Sequence, residues 1–259
     1  MLIALAGKGS SGKSTLAAVL VDALAAQAGV RSLIVDADPH QSLCMLMGVQ
    51  PPHTLGTLRS QYERALITGR DAALRPDEGR VAFAERLLGE EALVCGSRRD
   101  VLALGRWELA GSQCTPNRVL GYALEQLVPR YPLTLIDHEA GIEPIGRFGT
   151  ALDRLLVVAT PEALSLDVAG QILAHARAVG RTVRDAQLIL NRVRPDDLTD
   201  ETVLDALWQL ERLGMPLVLT LPESPALQQC SRRRLGPQAL PADEPWRRKL
   251  MAALPRLLG

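Results

Sequence analysis

Aromatic side chains make up only 3% of this 259-residue chain, and neither charge is in excess, with 29 Lys and Arg against 29 Asp and Glu. A chain with few stacking platforms and no basic field is not expected to bind nucleic acid. Cys44, Cys95, Cys114 and Cys230 are scattered and form no C-x-x-C pair, which argues against a disulfide framework and for reduced thiols, most of them small buried hydrophobes. His40, His53, His138 and His175 are too dispersed to suggest a metal cluster. No apolar run approaches the ~20 residues that span a bilayer. The first residues already read as strand and loop, which leaves no room for a signal peptide, so the expected compartment is the cytoplasm. What remains is 47% hydrophobic and 22% charged, enough to bury a sizeable core in one α/β domain of this length.

Apolar runs rich in β-formers recur at Leu2–Ala6, Ser32–Asp36, Val101–Leu104, Leu133–Asp137, Leu155–Ala159, Gln187–Leu190 and Leu217–Leu221. Helical patterns separate most of them, at Arg118–Leu127, Leu164–Ala178 and Asp200–Leu213. Alternation of this kind predicts a doubly wound α/β fold with a mainly parallel sheet covered on both faces. Ligands of such sheets bind beyond the carboxyl ends of the strands. Gln50–Leu93 breaks the rhythm and reads as an irregular insertion, with short helical stretches near Leu58–Ile67 and Val81–Leu88. Pro222–Pro245 reads as a second irregular stretch. Residues 1–259 are therefore expected to form a single domain.

The most informative residues are Gly7 to Thr15, GKGSSGKST. They fit G-x-x-x-x-G-K-[ST] and lie between an apolar strand and the helical pattern Leu16–Ala28, the context that gives this motif its meaning. Gly7, Gly9 and Gly12 let the backbone turn so that N–H groups across Ser10, Ser11 and Thr15 converge on a phosphate. The following helix N-terminus adds positive potential. Lys13 is expected to reach the β- and γ-phosphates, and Ser14 to ligate Mg²⁺. A second lysine, Lys8, follows the first glycine, where an ordinary phosphate loop requires none.

Further chemistry sits at the strand ends. Asp36 and Asp38 close the second strand, where carboxylates beside a phosphate loop can hold hydrated Mg²⁺ or orient an attacking water. A polar strand end starting an Asp-Pro turn is the alternative. Leu133–Asp137 is an apolar strand ending in aspartate, a Walker B pattern that makes Asp137 a further Mg²⁺ candidate. Gly141, just beyond, tolerates close approach of a γ-phosphate to its N–H.

The loop with its extra lysine resembles the deviant Walker A motif of the MinD/ParA and nitrogenase iron-protein superfamily. The resemblance implies an ATP-bound homodimer in which Lys8 reaches the partner's nucleotide and acts with Lys13 in catalysis. It implies that Asp38 positions water with Asp36 in support, and that 137–141 is a second switch. Asn191 and Arg192 resemble the adenine-reading position, where an amide pairs with both a donor and an acceptor, and Pro222 resembles part of the base pocket. A solvated loop lysine and a strand-capping asparagine are the simpler readings of Lys8 and Asn191.

A narrower resemblance rests on IDHEAGIEPIGR, Ile136 to Arg147. It is similar to the second switch of the accessory ATPases that insert nickel into carbon monoxide dehydrogenase, typically Asp-Met-Glu-Ala-Gly-x-Glu-His. Asp137, Glu139, Ala140, Gly141 and Glu143 match that pattern; His138 and Pro144 depart from it. The family's Cys-x-Cys metal site is here Ser112-Gln113-Cys114. A hydroxyl is a poor ligand beside a thiolate, so a symmetric dimer would offer two cysteines in place of four. Cys114 is thus a candidate ligand for Ni²⁺ or Zn²⁺ at a dimer interface, with a buried or merely available thiol as the alternative. The implied client is a metalloenzyme.

A MinD/ParA-type positioning ATPase acting on membrane or DNA is the competing function. The basic segment Trp246–Leu258 resembles a surface-binding tail, but Pro255 interrupts it and a helix packed on the domain is preferred. An iron-protein-type reductase would need a switch cysteine, and 136–149 contains none.

Overall fold

The computed structural model describes residues 1–26, 31–60, 91–106, 115–146, 149, 151–233 and 235–258. The unbroken apolar runs become strands because both faces of the sheet are covered. Along the first strand Leu2, Ala4 and Ala6 enter one core layer while Ile3 and Leu5 enter the other. Among the described residues eight strands follow in chain order: β1 (Leu2–Ala6), β2 (Ser32–Ala37), β3 (Leu93–Cys95), β4 (Arg99–Ala103), β5 (Leu133–His138), β6 (Leu152–Ala159), β7 (Val183–Val193) and β8 (Leu217–Pro222). They form one sheet in the order β3-β4-β2-β5-β1-β6-β7-β8. Every adjacent pair is parallel except β3 with β4. The doubly wound, mainly parallel sheet expected of the sequence is therefore present, with one antiparallel edge strand it did not reveal.

Helices cover both layers. On one face lie α3 (Thr115–Leu127), α4 (Ala163–Ala178) and α5 (Glu201–Arg212), which contribute Leu124, Leu173 and Leu210 among others. On the other lie α1 (Lys13–Ala26), α2 (Ser42–Leu46) and α7 (Pro245–Leu258). Leu16 to Val21 of α1 are all buried, because α1 packs on the sheet beneath and against α2 and α7 beside it. Burial on every side explains why this helix has no polar stripe.

Both stretches that read as irregular contain helix among their described residues. Within Pro222–Pro245 a helix, α6 (Pro225–Arg232), starts at Ser224, whose Oγ accepts the Leu227 N–H at 3.0 Å. The prolines are outweighed there by a good cap and by a proline at the first helical position, where no N–H is needed. In Gln50–Leu93, residues 55–60 are helical and bury Leu55 and Leu58. The rest of that helical stretch, and the whole of Val81–Leu88, lie outside the described residues.

The C-terminal segment packs on the domain. Helix α7 runs through Pro255, near its last turn, and buries Trp246, Leu250, Leu254 and Leu257. Arg154 of β6 donates Nη1 to the carbonyls of Arg256 and Leu257, so late carbonyls beyond the proline are satisfied. The expected interruption at Pro255 does not occur. Among the described residues no helix is long and apolar enough to cross a membrane.

Candidate functional site

The loop from Gly7 to Gly12 leaves the carboxyl end of β1, the central strand flanked by β5 and β6. Its conformation requires glycine at two points. Gly7 has φ 152° and Gly12 has φ 96°. A Cβ on Gly7 would lie 2.2 Å from the Val158 carbonyl oxygen, and one on Gly12 would lie 2.4 Å from Asn191 Nδ2. Ser10, at the exposed tip, also has positive φ, 66°. The loop is closed by a Ser11 N–H to Lys8 O bond of 3.3 Å and runs into α1 at Lys13. Ser14 and Thr15 sit in its first turn, where unpaired N–H groups face outward from the helix end.

Register brings the carboxylates to this loop. Asp36 pairs with Asp137 across β2 and β5, and Leu5 pairs with Asp137 across β1 and β5. Residues of Asp36 and Asp137 parity point into the α1 layer, the side on which Lys13 and Ser14 begin their helix. Lys13 is only 7% exposed. Burial lowers its pKa, and the charges of Asp137, Asp38 and Glu139 act in the opposite sense. One buried cation is thus surrounded by three acidic groups at the strand ends.

Asp137 is wholly buried, and burial pushes its carboxyl up to about 7. The Ser14 hydroxyl lies close enough to favour the ionised form. It does not reach the geometry of a full hydrogen bond, and both carboxylate oxygens lack a partner. An oxygen pair held without partners beside a helix-start serine and a lysine fits a hydrated Mg²⁺ that would restore the missing interactions. The Ser11 hydroxyl, also buried without a partner, belongs to the same cradle.

Asp36 and Asp38 are more committed than the sequence implied. Asp36 Oδ1 accepts the Asp38 N–H at 3.2 Å and Oδ2 the Cys44 N–H at 2.9 Å. Its pKa is pushed up to about 6, mainly by burial. Asp38 Oδ1 accepts the His40 N–H at 2.8 Å and Oδ2 the Ser42 hydroxyl at 3.2 Å. Both carboxylates therefore also shape the turn into α2. Each oxygen retains a lone pair, and Asp38 stays partly exposed.

A measurable consequence follows from Asp137. Its pKa in the fold is about 7 against an ordinary 3.8, so the folded chain keeps a proton that the unfolded chain has lost between those values. Stability from this group is complete below about pH 4 and falls as pH rises towards 7. Nucleotide-free Asp137→Asn should therefore melt above the unaltered chain at pH 8, with the difference closing towards pH 4. Thermal melts across that range check it; a difference independent of pH would contradict it.

Two further expected residues are in place but engaged. The Gly141 N–H donates to Gly7 O at 3.1 Å, so the segment after β5 is docked on the phosphate loop. Lys8 Nζ lies 3.6 Å from a Glu162 carboxylate oxygen at the start of α4. On the other side, a cleft of about 320 Å³ is lined by Gly12, Thr15, Asn191, Arg192 and Pro222. A break in register between β7 and β8 at Leu190–Val193, with Arg192 at φ 61°, turns Asn191 under the loop. Bulges commonly re-aim a side chain in this way.

The structure thus gathers the phosphate loop, Asp36, Asp38, Asp137 and Gly141 at one end of the sheet, with Asn191, Arg192 and Pro222 beside it. Cys114 and its neighbours Ser112 and Gln113 lie outside the described residues. Among the described residues no group of three or more His, Cys, Asp or Glu could hold a metal ion. The sequence places Glu139 in the second switch without a charge role of its own, and gives Glu162 and Trp246 no part in the site. Only Glu139, in the acidic run after a strand, carried a local signal.

The sequence pattern of the CobQ/CobB/MinD/ParA nucleotide-binding domain matches residues 2–237. The chain belongs to this family. It is 32% identical over 268 aligned residues to the carbon monoxide dehydrogenase accessory protein CooC of Rhodospirillum rubrum, covering 100% of this chain and 98% of that protein. It is 29% identical to an uncharacterized ATP-binding protein of Methanocaldococcus jannaschii, covering 86% of this chain and 84% of the relative. Among solved structures, a ParA family ATPase from Chlorobium tepidum superposes with a TM-score of 0.70 at 18% identity, covering 98% of both chains. A MinD from Pyrococcus horikoshii, complexed with Mg-ADP, gives 0.66 at 18% identity, covering 99% of this chain and 95% of that one. The MinD/ParA P-loop fold is the framework in which the site sits.

Proposed function

We propose that this MinD/ParA-family protein is a Mg²⁺-dependent ATPase that works as a homodimeric switch for maturation of a metalloenzyme. The observation that carries the catalytic part is the buried lysine among acidic groups at the loop, Lys13 with Asp137, Asp38 and Glu139. In this reading Lys13 and the loop amides neutralise the phosphates, and Ser14, Asp36 and Asp137 hold the hydrated Mg²⁺. The metal supplies charge neutralisation across the transferring group. Asp38 orients the attacking water, and Lys8 crosses to the partner's nucleotide. The Gly141 N–H leaves the Gly7 carbonyl and turns to the γ-phosphate, so that hydrolysis resets 137–141.

The full-length likeness to CooC supports an accessory role toward an enzyme such as carbon monoxide dehydrogenase. Ni²⁺ or Zn²⁺ would then be the cargo, with Cys114 from each protomer as the thiolate pair. Native mass spectrometry of the reduced protein with either ion, with and without ATP–Mg²⁺, tests this. One metal per dimer, lost in Cys114→Ser, is expected; metal-free dimers would end the delivery role and leave the ATPase standing.

The MinD relatives support the other reading, a positioning ATPase. The tail is a poor contact for it, since the large apolar residues of α7 other than Met251 are already buried in the core. Membrane or DNA recruitment would have to use another surface, and ATP-dependent liposome or DNA sedimentation distinguishes the two.

A further inference from the structure

The C-terminal helix reaches the nucleotide side of the molecule through one side chain. Trp246, in the first turn of α7, is 1% exposed, and Asn191, at the end of β7, is 2% exposed. Trp246 Nε1 donates to Asn191 Oδ1 at 2.8 Å, and Asn191 Nδ2 donates to the Ser11 carbonyl in the phosphate loop, also at 2.8 Å. Residues from three distant parts of the chain thereby form one buried line from helix to loop.

The chemistry of the two outer partners decides how the amide between them is turned. An indole N–H only donates, and a backbone carbonyl only accepts. The oxygen of Asn191 must therefore face Trp246 and its nitrogen must face Ser11. Reversing the amide would set two acceptors and two donors against each other in a buried place, which costs more than either bond contributes. One N–H and one lone pair of Asn191 are left over, and both Asn191 and Trp246 line the cleft beside Gly12. A donor and an acceptor held side by side match the adenine edge, which offers an acceptor at N7 and a donor at N6. Guanine offers acceptors at both N7 and O6.

Trp246 is itself firmly placed. Glu244, just before α7, accepts the Arg247 N–H at 2.9 Å with Oε2 and the Ser224 hydroxyl at 2.6 Å with Oε1. Ser224 in turn caps α6. The starts of both helices bordering the cleft are tied together by this carboxylate, which holds the indole against Asn191.

We propose that Trp246 is a positioning residue for base selection: its indole N–H fixes the Asn191 amide so that the site prefers adenine to guanine nucleotides. This rests on the reading of the cleft as a nucleotide site. Trp246 need not touch the base; it acts through Asn191.

The test is the ratio of GTP to ATP dissociation constants, measured by calorimetry with Mg²⁺ on the full chain and on Trp246→Phe. The variant keeps an aromatic ring and loses the N–H. The ratio is expected to favour ATP in the unaltered chain and to fall roughly 5- to 10-fold in the variant, the order of one hydrogen bond. If Trp246→Phe fails to fold, 3-benzothienylalanine at 246, in a Trp107→Phe, Trp208→Phe background, removes the N–H at nearly constant shape and should give the same fall. A role confined to shaping the phosphate loop would weaken ATP and GTP equally and leave the ratio unchanged. That result, or an unaltered chain that does not discriminate, overturns the assignment while leaving nucleotide binding intact. An unaltered chain that binds neither nucleotide overturns the nucleotide reading itself, and this assignment with it.

Discussion

Lys8→Ala is expected to bind ATP–Mg²⁺ as tightly as the unaltered chain and to hydrolyse it ~10³–10⁵-fold more slowly, the range of cationic fingers supplied in trans. The expectation comes from where Lys8 sits. It occupies the phosphate loop, yet its ammonium points to Glu162, 3.6 Å away, and the two side chains are 34% and 69% exposed. A pair that open to water contributes about 1 kcal/mol or less, so little holds the lysine on its own chain. Lys13, by contrast, is buried at the start of α1, where we propose that it serves the chain's own phosphates. A trans role adds a sharper expectation. Mixing Lys8→Ala with Asp38→Asn should restore turnover, because one protomer of the heterodimer keeps its own Asp38 and receives the partner's lysine. Phosphate release from the mixture and from each variant alone measures it. Equal rates for Lys8→Ala and the unaltered chain would reduce Lys8 to a loop lysine paired with Glu162.

Lys13→Ala should abolish useful nucleotide binding, with affinity for ATP–Mg²⁺ lowered at least ~100-fold. Breaking a buried charge pair by removing one partner costs about 3–5 kcal/mol, which corresponds to such a loss. Here the loss is compounded, since Asp137, Asp38 and Glu139 would face the incoming phosphates without the cation that now offsets them. Calorimetry measures the affinity, and far-ultraviolet circular dichroism confirms that the variant is folded. Tight binding by a folded Lys13→Ala would move the phosphate site away from Gly7–Thr15. The two lysines thus give opposite patterns, loss of turnover with binding kept for Lys8 and loss of binding for Lys13.

Much of this site was legible in the sequence because its parts are local. The phosphate loop carries its glycines, lysine and serine within nine consecutive residues, and Asp36 and Asp137 each end a strand that reads as an apolar run. Parallel register then brings those ends together without further information. What could not be read depends on distance or on weak local signals. Strand β3 is three residues long and joins the edge antiparallel, so neither alternation nor a following helix announces it. Helix α2 has five residues, too few to show a period. Helix α6 had legible cues in Ser224 and Pro225, but the surrounding prolines and arginines suggested irregular chain. The Asn191–Trp246 bond joins residues 55 apart, and the Gly141 N–H to Gly7 contact joins two loops on different strands. Likewise, the hydrogen bonds that engage Asp36 and Asp38 in the turn to α2 are visible only once that helix is placed.

Whether ATP makes this chain a dimer that hydrolyses it decides whether the protein is a switch. Native mass spectrometry of Asp38→Asn, slowed in hydrolysis, with ATP–Mg²⁺ is the direct measurement, with ADP–Mg²⁺ and Lys13→Ala as controls. The expected result is a dimer carrying two ATP and two Mg²⁺, with monomers in both controls. A monomer that binds ATP–Mg²⁺ without dimerising would contradict the switch, and the crossing role of Lys8 with it.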